Sequence, residues 1–230
     1  EYAIPQPWAR QLHIRKHGFH GASHRYIATR SGELLGRDDA RVISCHLGGS
    51  SSLTAIDAGK SVMTTMGMTP QTGLPQNNRV GDFDPFALPL IIQQTGLTLD
   101  QVLSQLASAG GLLGISGMSG DIRDLEAGAA DGDADCQLAL DVFVEEIRRH
   151  LGGMIVALGK VDAIVFTGGI GEKGAGVRAG VCRDLEGLGI AMDASANLAV
   201  SGESTFHAAE SQTQLWVIPT NEEVIVARQC

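Results

Sequence analysis

Histidines, basic residues and glycines lie close together near the start of this chain. Residues 15–24 read Arg-Lys-His-Gly-Phe-His-Gly-Ala-Ser-His, which places His20 between two glycines. Glycine lets the backbone approach a ligand closely, and histidine beside arginine or lysine suits an anionic, phosphate-like group. Four further clusters of glycine, serine, asparagine, histidine, arginine or glutamate follow, at residues 44–52, 77–82, 167–172 and 219–223. Together the five clusters predict a phosphoryl-transfer site built from several loops.

The second cluster is rich in glycine and serine. It contains His46, Leu47, Gly48, Gly49 and Ser50. Short apolar runs at 42–47 and 53–56 flank it, which predicts a strand-turn-strand hairpin. Backbone N–H groups and hydroxyls at such a turn can hold phosphate oxygens. An ordinary glycine-rich hairpin turn remains the alternative.

The third cluster places Arg79 in a polar segment, residues 70–85, that we expect to form an ordered loop. Loops of roughly 15 residues without regular structure are more often functional than not. Phosphoryl transfer requires a fixed guanidinium to stabilise the equatorial oxygens of the transition state. A surface salt bridge between Arg79 and Asp82 or Asp84 is the alternative.

The fourth cluster, Gly169-Ile170-Gly171-Glu172-Lys173-Gly174, follows an apolar strand and has the form G-x-G-x-x-G. With Asp193 22 residues after Gly171, it formally matches a dinucleotide fingerprint. We favour a turn at Gly168-Gly169 that lets the end of the strand approach a nucleotide, and a purely structural turn stays open. Gly59-Lys60-Ser61 resembles the end of a phosphate-binding P-loop but lies in a hairpin, so we interpret Lys60 as a solvated turn residue.

The last cluster, Thr220-Asn221-Glu222-Glu223, has the pattern of a capping box in which Glu223 reaches back to the start of a helix. Glu222 is then left over. A carboxylate at a strand-helix junction can hold Mg²⁺, directly or through water. A plain helix start without a metal is the alternative.

Hydrophobic periodicity and turn residues predict helices alternating with strands. The predicted helices cover 22–35, 85–94, 99–109, 121–126, 134–158, a segment after the glycine turn at 168–169, and 221–229; the predicted strands cover 42–47, 53–56, 61–65, 162–167 and 214–219. Residues 1–20 read as a proline-containing lead-in segment. This order indicates an α/β protein with a mixed, partly parallel sheet flanked by helices.

Composition limits the classes of partner. A formal net charge of −9 argues against nucleic acid or an anionic membrane, because both attract basic surfaces. No apolar run approaches the roughly 20 residues that span a bilayer. The four cysteines are scattered without a CxxC pair, which favours reduced thiols and a cytoplasmic location. Because the chain begins with Glu1 and reaches site-like residues within twenty positions, we expect an N-terminal part to be missing.

Taken together, the clusters resemble the acetate kinase family, short-chain carboxylate kinases with the actin-like (ribonuclease H-like) ATPase fold. Residues 18–24 are similar to the family's G-F-H-G-T-S-H signature, and 46–50 to its H-L-G-N-G. Residues 111–117 with 121–123, then 169–172 and 218–223, continue in the family's order. Three departures stand out: Gly49 to Ser52 for Asn-Gly-Ala-Ser, Asn77 to Val80 for Gly-Thr-Arg-Ser, and Lys173 for Asn. They leave the acid open, so propionate is possible as well as acetate.

The resemblance implies a role for each cluster in the reaction ATP + acetate ⇌ ADP + acetyl phosphate. His20 and Arg79 would stabilise the phosphoryl group in flight, and Glu222 would bind Mg²⁺. His46, Leu47, Gly48, Gly49 and Ser50 would line the nucleotide phosphates. The residues implied to contact adenosine are Asp121, Ile122, Arg123, Gly169, Ile170, Gly171, Glu172 and Lys173.

The resemblance also implies a domain organisation. Residues 1–20 would be an inter-domain connecting segment and 21–230 the second, nucleotide-binding actin-like domain. The family's first domain supplies further catalytic residues and has no match in this sequence. We therefore expect weak ATP or ADP binding, no turnover by the chain alone, and a homodimer in the full-length protein by analogy. A non-catalytic actin-like nucleotide-binding module and an NAD-dependent dehydrogenase are the alternatives.

Overall fold

The computed structural model describes residues 1–221, which divide into two compact units. The first unit comprises Glu1–Gly18 and Met66–Glu146, and the second comprises Phe19–Thr65 and the described residues from Ile147 onward. None of the helices in these described residues is long and apolar enough to cross a membrane.

Helices and strands follow one another along the chain in the order that the sequence pattern indicates. The helices are α1 (Gln6–Gln11), α2 (Gly21–Leu35), α3 (Leu88–Thr95), α4 (Leu99–Ser108), α5 (Gly111–Ser116), α6 (Ile122–Ala130), α7 (Ala134–Leu158), α8 (Gly168–Lys173), α9 (Ala175–Cys182) and α10 (Ala194–Leu198). The strands are β1 (Arg41–His46), β2 (Ser52–Asp57), β3 (Lys60–Thr64), β4 (Ala163–Thr167), β5 (Ser204–Thr205) and β6 (Gln214–Val217). Short 3₁₀ turns lie at Pro85–Ala87 and Glu186–Leu188.

All six strands of the described chain belong to the second unit and form one sheet in the order β3-β2-β1-β4-β6-β5. The pairs β1–β4 and β4–β6 are parallel, whereas β1–β2, β2–β3 and β5–β6 are antiparallel. The sequence prediction of a mixed, partly parallel sheet is confirmed. Because β1 and β4 are parallel, their carboxyl ends share one edge, where His46 pairs with Thr167.

The central strands are buried along their length. Every residue of β4 is buried, as expected for a parallel strand that is covered on both faces. On the face toward α2, Ile27 packs into a cluster with Val42, Ile56 and Val165. This packing fixes α2 against β1, so the start of the helix lies where it can serve a site.

The sequence predicted most elements close to their observed bounds, including α2, which ends at Gly36 in the left-handed conformation. It missed α1, α5, α10 and the two-residue strand β5. It also ended α6 four residues too early and placed the start of α8 after the glycine turn. In the structure α8 begins at Gly168 itself, directly after β4.

Candidate functional site

Three histidines meet at the carboxyl edge of β1 in the second unit. His46 ends β1, His20 directly precedes α2, and His24 lies one turn into that helix. The rings of His20 and His46 are stacked, with centroids 4.2 Å apart and planes inclined by 17°. His20 has a φ of 59°, in the left-handed region that few non-glycine residues adopt. Such conformations occur often at functional sites, where the surrounding structure holds them.

Serine hydroxyls join these imidazoles into one hydrogen-bonded chain. Ser52 Oγ lies 2.8 Å from Nδ1 of His20 and 2.8 Å from Nε2 of His24. The other ring nitrogen of His24, Nδ1, lies 2.8 Å from Ser44 Oγ. A serine hydroxyl has one proton, so when Ser52 donates to one imidazole it accepts from the other. The proton positions on His20 and His24 are therefore coupled.

His46 is oriented by a second pair of hydroxyls. Its Nδ1 lies 2.8 Å from Ser23 Oγ, and Thr220 Oγ1 donates to Ser23 Oγ at 3.1 Å. Because Ser23 accepts from Thr220, its own proton is available for His46 Nδ1. A neutral His46 then carries its proton on Nε2, where it can donate to an anionic oxygen.

Burial keeps two of the imidazoles neutral. Burial lowers the pKa of His46 to about 4, and repulsion from His20 adds to the shift. Burial lowers the pKa of His24 to about 3, with smaller contributions from His46 and His20. At neutral pH both rings are therefore uncharged hydrogen-bonding groups.

The glycine-serine turn follows His46 directly, in the hairpin that the sequence predicted. Ser51 Oγ accepts from the Gly48 N–H at 3.2 Å and donates to the Gly48 carbonyl at 3.0 Å, which closes the turn on itself. Gly49 is exposed, while the Leu47 side chain is completely buried. Leu47 thus anchors the turn in the core, while Gly49 at its tip lies in solvent.

The start of α8 is joined to the same turn. The Leu47 N–H donates to the Thr167 carbonyl, and the Leu47 carbonyl accepts from the N–H groups of Ile170 and Gly171 at 2.9 and 3.1 Å. Those two N–H groups therefore hold α8 to the turn. Gly168 has a φ of 76°, and a Cβ there would lie 2.7 Å from the Leu47 carbonyl oxygen, so glycine is required.

Arg79 belongs to the first unit, in the extended segment between β3 and α3. Its Nη1 donates to Gln76 Oε1 at 3.3 Å. The Gln76 side chain is completely buried and donates from Nε2 to the Pro70 carbonyl at 2.7 Å. Gln76 thus links Arg79 to the loop that carries it.

Asp121, Ile122 and Arg123 also lie in the first unit, at the start of α6. Asp121 caps the helix by accepting from the Arg123 N–H, and its two carboxylate oxygens accept from Arg123 Nε and Nη2 at 3.0 and 2.6 Å. This arginine lowers the pKa of Asp121 to about 2. Ile122 is buried, so Asp121 and Arg123 are the side chains of this motif that reach solvent.

The structure brings together, within the second unit, His20, the turn at 46–50 and the segment 168–173. Arg79 and residues 121–123 are placed in the first unit. Glu222, the predicted metal ligand, lies outside the described residues, as does the predicted helix at 221–229 apart from Asn221. Among residues 1–221, no group of three or more histidine, cysteine, aspartate or glutamate side chains could hold a metal ion.

Sequence reasoning did not single out the partners that orient the site. His24 was part of the first motif, and its place one helical turn after His20, which directly precedes α2, is a usable signal. Ser44 pairs with Thr54, and Ser52 at the start of β2 pairs with His46, so only the register of β1 and β2 brings both hydroxyls to His24. Arg178, which is buried below α8, gave no sequence signal at all.

Comparison with known proteins places these features in a family. The sequence matches the Acetokinase family over residues 1–228. It is 44% identical to an acetate kinase of Heliobacterium modesticaldum over 99% of this chain and 57% of that protein, and 45% identical to one of a Geobacillus species over 99% and 58%. The chain thus spans less than two thirds of the length of these relatives.

Solved structures agree with the sequence matches. A Porphyromonas gingivalis acetate kinase superposes with a TM-score of 0.96 at 36% identity, covering 100% of this chain and 58% of that one. A propionate kinase from Francisella tularensis superposes with a TM-score of 0.94 at 36% identity, covering 100% and 59%. The mixed sheet with flanking helices is that of the actin-like ATPase fold. With the family match covering almost every residue, the chain belongs to the acetokinase family.

Proposed function

We propose that this chain is the nucleotide-binding part of a kinase that transfers a phosphoryl group between ATP and a short-chain carboxylate, acetate or propionate. The observation that carries the proposal is the stacked pair of His20 and His46 beside the two glycine turns of the second unit. Neutral His46 with its proton on Nε2 is suited to donate to a phosphate oxygen. Membership of the acetokinase family supports the same reaction.

Each predicted residue takes a role that its chemistry suits. Phosphoryl transfer asks the protein mainly for positioning and for stabilisation of charge. His20 and Arg79 stabilise the equatorial oxygens of the phosphoryl group in flight. Residues 46–50 hold the nucleotide phosphates, and residues 121–123 and 169–173 contact adenosine.

Magnesium is part of the proposal through Glu222. The metal, when bound, neutralises charge on the phosphate oxygens. Thr220 and Asn221 precede Glu222, and Thr220 donates to Ser23, which orients His46. Thr220 thus contacts the hydroxyl that orients His46, which supports a metal ligand two residues later, at Glu222.

The remaining assignments rest on analogy with the family, and the share of the relatives that this chain covers agrees with a longer enzyme. Residues 1–20 are a connecting segment, and residues 21–230 the second actin-like domain of a longer enzyme that forms a homodimer. The first actin-like domain completes the catalytic residues. The 230-residue chain then binds ATP or ADP weakly and produces no acetyl phosphate by itself.

Ligand binding and turnover by the purified chain test this proposal. Mg·ADP and Mg·ATP should raise the Tm of the chain, because a ligand that binds the folded state stabilises it by mass action, and NAD should not. Acetyl phosphate formation, trapped as the hydroxamate, should stay at the level of a protein-free control. A Tm raised by NAD alone would favour a dehydrogenase, and robust turnover would contradict the division of catalytic residues between two domains.

A non-catalytic nucleotide-binding module would bind the same nucleotides, but substitution of the proposed catalytic residues would change no activity. In a complete enzyme of this family carrying this chain's residues 1–230, His20→Ala should lower kcat strongly in a kinase. Lys60→Ala, at the exposed hairpin turn outside the five clusters, is the control and should leave kcat nearly unchanged. If the complete enzyme is inactive with His20 intact, the module interpretation stands.

A further inference from the structure

Arg178 is an arginine of α9 whose side chain is almost completely buried, with an exposed fraction of 1%. Its Nη1 donates to the carbonyl oxygens of Gly171 and Glu172 at 2.8 and 2.9 Å. Its Nε donates to Asn197 Oδ1 at 2.7 Å, and Nη2 donates to the Asn197 carbonyl at 2.9 Å. All three nitrogens of the guanidinium are thereby used.

None of these hydrogen bonds within residues 1–221 goes to a carboxylate. The acceptors are neutral carbonyl and amide oxygens, and the Phe206 ring lies 5.5 Å from the guanidinium carbon. Burial lowers the pKa of Arg178 from its usual value. Burying a cation with no acidic partner among these residues costs desolvation free energy. The hydrogen bonds of the guanidinium and its contact with the Phe206 ring must offset that cost.

What Arg178 holds is the last turn of α8. The final carbonyl groups of a helix have no partner within the helix. Arg178 supplies donors to two of them, while the Leu47 carbonyl accepts from Ile170 and Gly171 nearer the helix start. The six-residue helix is therefore fixed from both sides, and Gly169 and Lys173 remain exposed.

The guanidinium is itself fixed. Asn197 is buried, and its Nδ2 donates to the Ala175 carbonyl at 2.9 Å. This bond leaves Oδ1 of Asn197 directed at Arg178 Nε. A lysine at 178 could not reproduce the planar fork that reaches carbonyls of α8 and Asn197 together.

We propose that Arg178 is a positioning residue for the nucleotide: it fixes the segment Gly169–Lys173 in the conformation that contacts adenosine. The inference rests on the proposed nucleotide site. It assigns Arg178 no contact with the ligand, and its effect passes through the carbonyl groups of Gly171 and Glu172.

The test compares Arg178→Lys with a matched arginine variant, Arg148→Lys. Arg148 also caps backbone carbonyls, donating from Nη1 to Gly180, Val181 and Arg183 at the end of α9, away from α8. Three quantities are measured on the 230-residue chain. They are the Kd for Mg·ADP by calorimetry, the Tm without ligand, and the hydrogen-exchange rates of amides 168–174. We expect Arg178→Lys to raise the Kd for ADP about tenfold or more, since residues that orient a binding group without touching the ligand typically contribute at least that factor. We also expect faster hydrogen exchange of amides 168–174. Arg148→Lys should change the Kd less than about twofold.

Each outcome decides between the two proposals. An unchanged Kd in Arg178→Lys, or an equal loss in both variants at equal loss of Tm, overturns the positioning role. If the unsubstituted chain does not bind ADP, the proposed function fails. Independently of ADP binding, an unchanged exchange rate at 168–174 in Arg178→Lys would show that Arg178 does not fix this segment. Should Arg178→Lys not fold, Asn197→Ala removes the acceptor of Nε and is expected to weaken ADP binding in the same direction by a smaller factor.

Discussion

Single side chains decide the proton positions at the imidazole cluster. Ser52 is the shared partner of His20 and His24, and each of these contacts is 2.8 Å long. When Ser52 donates to His24 Nε2, it accepts from His20 Nδ1. The tautomers of His20 and His24 are therefore set together.

Ser52→Ala tests this coupling. The substitution removes one contact from the buried His24 and one from the half-buried His20. We expect the free energy of unfolding to fall by about 2 kcal/mol. The ¹⁵N shifts of His20 and His24 should change together, because both lose the hydroxyl that fixed their tautomers. Ser51→Ala is the control, since Ser51 bonds only to Gly48 in the contacts described above and its loss should leave both imidazole signals in place. Shifts that move for His24 alone would contradict the coupling.

At the scale of elements, the parallel pairing of β1 and β4 creates the site. It places the ends of both strands at one edge, so that the turn after β1 and the helix after β4 begin side by side. The close approach is possible because Gly168 has no side chain and adopts a positive φ. Gly168 and Gly169 differ in the room that each leaves for a side chain. A Cβ at Gly169 would meet nothing within 4 Å.

Gly168→Ala and Gly169→Ala therefore form a matched pair. Gly168→Ala should destabilise the chain by about 2 kcal/mol or more, since alanine is strained at this φ and its Cβ would press on the Leu47 carbonyl. Gly169→Ala should leave the free energy of unfolding within about 0.5 kcal/mol, measured by urea denaturation. Because Gly169 is exposed at the proposed adenosine contact, its substitution should instead weaken ADP binding. Equal stability of the two variants would show that the turn is not held as described.

At the scale of the whole molecule, the chain combines a sheet-containing unit with a mainly helical one, and it covers 57–58% of its Heliobacterium and Geobacillus relatives. The proposed phosphate-binding residues lie in the second unit, which contains the sheet, and Arg79 and residues 121–123 lie in the first unit, which is mainly helical. The proposed phosphoryl transfer therefore needs residues from both units. Because the net charge is −9, the proposed anionic ligands would be bound through local donors rather than through a basic surface.

Global stability should fall on mild acidification because of the buried histidines. The pKa values of His24 and His46 are lowered to about 3 and about 4 in the folded chain, whereas an unfolded histidine titrates near 6.5. Below pH 6.5 the unfolded state therefore binds more protons, and stability is lost as the pH falls toward 4. From pH 7 to pH 5 we expect a loss on the order of 2 kcal/mol per histidine.

Urea midpoints measured between pH 7 and pH 5 check this expectation. Carboxylates with lowered pKa, such as Asp121, lose their contribution only at lower pH and do not interfere in this window. His46→Gln should show a shallower loss than the unsubstituted chain. A midpoint that does not change over this range would mean that the two imidazoles are not held neutral.

The sequence by itself determined most of the secondary structure, the mixed sheet and where the glycine-rich segments lie along the chain. Periodicity and turn residues are local properties, so α2, α7 and β4 could be predicted near their observed bounds. The motifs also determined which family the chain belongs to, because their order along the chain is a property of sequence. Short elements such as α5 and β5 were missed, since they form through contacts with distant residues more than through local pattern.

Only the tertiary structure decided how the site is held. Ser44 and Ser52 reach His24 because β1 and β2 pair in one register, and Arg178 reaches the carbonyls of Gly171 and Glu172 because α9 packs behind α8. Such hydrogen bonds depend on distances between residues far apart in the chain or on different elements. Side-chain type and spacing carry no record of those distances, so the proton positions of the imidazoles and the support of α8 could be known only from the folded chain.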